Sequence, residues 1–180
     1  VGIPIYFYAV LSDGSEAGNR AAFFMIGTFM AVWTILYGVV QGWSPRILRA
    51  GSRSEMQLHA QAARWVASLA VVPAVLAVVV WLVPEASMGL TTLIVTGLLL
   101  FGGLFAVNSA LHSYLILSFT DASRVTMDVG FYYMSNAAGR LAGTVLSGLT
   151  YQLGGLPLCL GTAALMIGLS WLAVKRLETA

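Results

Sequence analysis

The chain has 180 residues, of which 59% are hydrophobic and only 9% charged, with a formal net charge of +2 and a mean hydropathy of +0.87. Soluble domains carry roughly 25% charged residues, so this composition excludes an ordinary water-soluble globule and points to an integral membrane protein. The single Cys159 excludes an internal disulfide and leaves the redox compartment unread.

In chain order, the first element is VGIPIYFYAVL at 1–11, apolar but about half the ~20 residues a membrane helix needs. With no initial methionine, it is expected to be the truncated end of a helix in a longer chain. It lacks the basic start and small-residue cleavage site of a signal peptide. After the breaker SDGSEAGN at 12–19 comes the first full span, 21–42, in which Thr34, Tyr37 and Gln41 share one helical face. The loop WSPRILRAGSRSEMQLHAQAAR at 43–64 is basic. Its expected role is to set topology, contact with the anionic inner leaflet being the alternative.

Span 65–83, WVASLAVVPAVLAVVVWLV, is apolar on all sides, which excludes the alternation of a β-barrel strand. PEASMG at 84–89 leads to span 90–117, where Asn108 and His112 lie one turn apart. Span 131–153 stacks Tyr133, Asn136, Arg140, Thr144, Ser147 and Tyr151 along one stripe. GGLP at 154–157 breaks the helix before span 156–174, whose only side-chain hydrogen-bonding groups are Thr162, Ser170 and Trp171.

The pattern predicts an all-α, polytopic membrane helical bundle, a single domain over 1–180. The bland spans 65–83 and 156–174 are expected to face lipid, and spans 21–42, 90–117 and 131–153 to line a polar interior. If the spans alternate, the segments at 43–64, 118–130 and 175–180 share one side and hold seven of the nine basic residues: Arg46, Arg49, Arg53, Arg64, Arg124, Lys175 and Arg176. The opposite loops hold only Arg20. Lysine and arginine accumulate in cytoplasmic loops, so the C-terminus is expected in the cytoplasm.

The ninth basic residue, Arg140, lies about 14 Å into its span at 1.5 Å per residue, near the midplane. A charge there costs about 2.5–3.5 kcal/mol on insertion scales unless it meets a partner or water. All seven acidic residues, Asp13, Glu16, Glu55, Glu85, Asp121, Asp128 and Glu178, fall outside the spans. The partner is therefore an acid elsewhere in a longer chain, backbone carbonyls, or an anionic substrate.

Asn136 and Asn108 are candidate secondary donors to a substrate, or else interhelical hydrogen-bond formers. Tyr133, Tyr37 and Gln41 complete the candidate substrate-binding set. His112 is either a proton-coupling group or a packed neutral side chain. Gly139, Gly143 and Ser147, at four-residue spacing, read as a helix-packing stripe, and the tyrosines at 132 and 133 as part of an aromatic belt. The chain contains no GxxxxGK[ST] loop, HExxH or CxxC, so neither an enzyme nor an ATP-driven pump is expected, and no metal or cofactor.

The span order, the inside basic loop WSPRILRAGSR at 43–53 and the inside C-terminus resemble the C-terminal six-helix half of a major facilitator superfamily transporter. The usual acidic residue of that family's loop motif is not evident. The resemblance implies helices seven to twelve of a longer transporter, the first truncated, with the third and sixth of the half peripheral. GFYYMSNAAGRLAGTVLSGLTYQ at 130–152, with VGIPIYFYAV and FMAVWTILYGVVQGWSPR, is similar to the organoarsenical efflux permeases of bacterial arsenic-resistance operons. That similarity implies a secondary active exporter of a small organic anion, an arseno-phosphoglycerate, in the bacterial inner membrane. Its implied partners are the anionic substrate, the lipid bilayer and the N-terminal half of the same transporter, with no nucleic acid. An exporter of an unrelated solute, such as a drug or sugar, and a non-transport helical subunit are the alternatives.

Overall fold

The computed structural model describes residues 1–48, 55–83, 85, 87–120 and 123–177. Arg49, Arg53, Asp121 and Glu178, counted above among the charges, lie outside them. The described residues form α1 (Gly2–Leu11), α2 (Glu16–Leu48), α3 (Glu55–Leu82), α4 (Met88–Phe119) and α5 (Val125–Leu177). Four of these, α2 to α5, are long and apolar enough to cross a membrane. In lipid only a helix or a closed barrel satisfies its own backbone, so these apolar sequences fold as long helices.

Helix α5 is a hairpin. Gly154 (φ −152°, ψ 23°) and Gly155 (φ 64°, ψ −158°) leave helical geometry. Ser147 Oγ lies 3.3 Å from Cys159 Sγ, twelve residues on, whereas a straight helix would separate them by about 18 Å. Asp128 and Phe131, near the start of α5, also line one cleft with Val174, near its end. The chain therefore reverses at the GGLP breaker, giving a first arm, 125–153, and a second arm, 156–177.

The loop expected at 43–64 is mostly helix: α2 runs on to Leu48 and α3 begins at Glu55. Leu58, Ala62, Val66 and Leu69 recur at helical spacing and are buried, so the apolar face of α3 starts before the span that uniform hydropathy marks. Pro45 lies inside α2.

Two buried clusters hold the bundle, one at each end. Phe7, Leu76, Val80, Leu90, Ile94, Leu156 and Leu160 pack at the end where α2, α4 and the second arm begin. Leu48, Leu58, Ala62, Val107, Leu111 and Leu115 pack at the other, with Trp65 and Val174 against them. This second end carries Arg46, Arg64, Arg124, Lys175 and Arg176 and is called the basic end below. At the opposite end Arg20 pairs with Glu16 at 3.4 Å, both exposed.

Lipid is as apolar as leucine, so the clusters gain dispersion contacts and close fit rather than escape from water. Close fit is visible where α2 meets α4. Trp33 Nε1 donates to the Leu98 carbonyl at 2.9 Å, and a Cβ on Gly102 would come within 2.7 Å of that nitrogen.

Helix α3 packs one face on α4 and the second arm and leaves Val71, Val75, Val78 and Leu82 exposed. The second arm exposes Leu165, Leu169 and Leu172. Both elements thus have one covered face and one apolar outer face.

Gly155 occupies a backbone region open essentially to glycine alone. Gly155→Ala should destabilise the purified protein by about 1–3 kcal/mol, read as a lowered thermal midpoint in detergent. At the turn before α2, the Ser15 hydroxyl donates to Asp13 at 2.7 Å and the Ser15 amide at 2.9 Å. These bonds, the hydroxyl's first, hold the Asp13 carboxyl below its ordinary value. A depressed carboxyl contributes stability above its unfolded pKa and loses it as pH falls through the folded one. Ser15→Ala should move the Asp13 titration back towards the ordinary carboxylate value, as followed by NMR.

Candidate functional site

From Tyr133 to Leu146 every residue of the first arm is exposed, on all sides of the helix. Arg140, Asn136 and Tyr133 lie in this stretch. A Cβ at Gly139 or Gly143 would meet nothing within 4 Å. Arg140 has no ion-pair partner among the described residues; its carbonyl accepts from Thr144 Oγ1 at 2.8 Å.

The arm is tied to the bundle by polar contacts at both ends. Towards the basic end, the Tyr132 hydroxyl lies 3.3 Å from Ser113 Oγ on α4. Towards the opposite end, Ser147 Oγ accepts from the Gly2 amide of α1 at 3.1 Å and touches Cys159 of the second arm. Tyr132 and Ser147 are about 22 Å apart along the helix, and Arg140 falls halfway between them.

The other candidates stand on other elements. Tyr37 is half-buried on the face of α2 that meets α4, its ring 5.9 Å from Trp33 and 5.7 Å from Phe105. Gln41 follows one turn later, half-buried. Asn108 has a buried Oδ1 with no hydrogen-bond partner among the described residues, an arrangement that costs energy in a low-dielectric interior unless a donor is supplied. Among the described residues, no hydrogen bond or ion pair joins Arg140, Asn136 or Tyr133 to Tyr37, Gln41 or Asn108. Among the described residues these contacts do not gather them into one site.

His112 Nδ1 lies 2.9 Å from the Asn108 carbonyl. A carbonyl only accepts, so Nδ1 carries the proton, and the neutral ring keeps its lone pair on Nε2. The ring borders a cleft of about 430 Å³ at the basic end, which His59 of α3 and Asp128 of the first arm also line. His59 falls in the 43–64 segment expected as a loop, but it lies on α3, and only the packing brings it to the same cleft as His112. The signal available was the run of apolar residues at helical spacing from Leu58 onwards. No group of three or more metal-ligating side chains occurs among the described residues.

No family model, curated protein or solved structure matches the chain. Fold and composition define its class: an all-α, multi-pass membrane helical bundle.

If the exposed first arm borders a watery pathway in the intact membrane protein, single cysteines placed at Asn136 and Arg140 in a Cys159→Ser background should react with water-soluble thiol reagents. Cysteines at Val78 and Leu165, on apolar outer faces, should not. Strong labelling at Val78 or Leu165 with none at Arg140 would reverse the assignment of faces.

Proposed function

We propose that the chain is one helical bundle of a secondary active transporter that exports a small organic anion, with Arg140 as the anion-binding residue. One observation carries the reading: a permanent cation halfway along an apolar helix, without an acidic partner among the described residues. An intramembrane arginine faces a partner or a watery cavity rather than lipid. Its planar fork of donors matches the paired oxygens of phosphate, carboxylate or arsenate.

On this reading the uncovered sides of the first arm and of α2 border the pathway and a second bundle, the N-terminal half of the same transporter. Alternating access then proceeds by one bundle rocking against the other around a midplane site. Asn136, one turn towards the basic end, and Asn108 serve as secondary donors, with Tyr133, Tyr37 and Gln41 along the pathway. The basic end lies in the cytoplasm of a bacterial inner membrane, in keeping with its arginines and lysines. The resemblance to organoarsenical efflux permeases makes an arseno-phosphoglycerate the first substrate to try.

Uptake into everted vesicles tests the proposal. Arg140→Ala should abolish substrate-dependent transport while the protein still inserts. Arg140→Lys, which keeps the charge but loses the bidentate geometry, should retain a reduced rate. Asn136→Ala and Asn108→Ala should each cost less. Normal transport by inserted Arg140→Ala would overturn the assignment.

A further inference from the structure

The cleft at the basic end is formed by three helices and holds three titratable side chains. His59 comes from α3, His112 from α4 and Asp128 from the first arm of α5. The second arm contributes the apolar Val174, and α2 contributes no described residue to the lining. The charges that follow Val174 are Lys175, whose Nζ sits 4.6 Å from the centre of the Trp171 ring, and Arg176. On α2 the described basic residue at this end is Arg46, whose guanidinium carbon lies 5.7 Å from the centre of the Trp43 ring. Arg64 of α3 borders a different groove, and Arg124 begins the turn into α5. The titratable side chains that line the cleft are thus two imidazoles and one carboxylate.

We propose that this cleft is a proton-binding switch: protonated His112 and His59 share the space with the Asp128 carboxylate and draw the start of α5 against α3 and α4. At His112 the incoming proton forms its N–H bond at Nε2, because Nδ1–H already donates to the Asn108 carbonyl. The neutral ring becomes a cation, and water at the basic end supplies the proton. Deprotonation removes the attraction and releases the start of α5. Histidine is the side chain whose ordinary titration falls between pH 5 and 8.

The placement gives the switch something to move. Asp128 lies one turn before Tyr132, whose hydroxyl meets Ser113, the residue after His112. The cleft is thus adjacent to the polar tie that holds the first arm to α4. Arg140 lies twelve residues beyond Asp128 on the same arm, about 18 Å away. Coupling of the switch to an anion at Arg140 rests on the transport reading; proton binding in the cleft does not.

The test uses the full-length protein in lipid nanodiscs, without substrate, in a Cys159→Ser background. Spin labels at the exposed positions Leu117 on α4 and Met127 on α5 report their separation by electron paramagnetic resonance. The separation should shorten as pH falls. His59→Gln combined with His112→Gln should abolish the shift, and Asp128→Asn alone should do the same. A separation that does not change with pH overturns the switch, as does a transition that persists in either variant. Because no substrate is present, a failure of Arg140-dependent export would overturn the transport reading and leave this result standing.

Discussion

A guanidinium cannot be left against hydrocarbon, and Arg140 places one at mid-depth on an arm whose surroundings within the chain are open on every side. Nothing on the described part of the chain neutralises it. An unsatisfied charge in an apolar span costs about 2.5–3.5 kcal/mol on insertion scales, comparable to a sizeable packing defect. On the transport reading, the first arm of α5 meets a polar environment supplied from beyond the described residues. Asn136, exposed on the same arm, likewise calls for a hydrogen-bonding partner.

That constraint divides the bundle into two parts with different roles. Helices α3 and α4 and the second arm of α5 share most of the buried side chains, with Ile94 and Leu111 fully enclosed. They form a frame whose outer face is apolar. Helix α2 and the first arm are attached to the frame, α2 through one aromatic face on α4 and the arm through a polar contact near each end. The breaker at Gly154–Gly155 makes this possible: it brings the second arm into the frame while leaving the first arm outside it.

Much of this arrangement was legible in the sequence. Uniform hydropathy marks the spans because lipid demands it at every exposed position, and the GGLP breaker marks the hairpin because only glycine tolerates the backbone at position 155. The covered face of 65–83 and of 156–174 was not legible, because these spans are apolar on all sides and only packing distinguishes Leu69, Leu76 and Leu160, which are buried, from Val75, Val78 and Leu165, which are exposed. Helix ends were less legible, since α2 and α3 continue into polar residues that a hydropathy reading assigns to a loop; His59 was lost there. The contacts of Ser113 with Tyr132 and of Ser147 with Gly2 were also out of reach. Such contacts join residues whose individual types are unremarkable, and only the packing reveals them.

The strength of those ties bears on what the arm can do. Interhelical hydrogen bonds in membranes average about 0.6 kcal/mol, comparable to thermal energy, because a helix released into lipid soon finds other partners. Two such contacts orient the arm but do not lock it, whereas dispersion summed over the buried clusters fixes the frame. A small electrostatic change beside one tie is therefore enough to favour one placement of the arm over another, while the same change applied to the frame would be absorbed by its packing. The cleft of His59, His112 and Asp128 adjoins one of these weak ties, and the charge it can affect through the arm is Arg140.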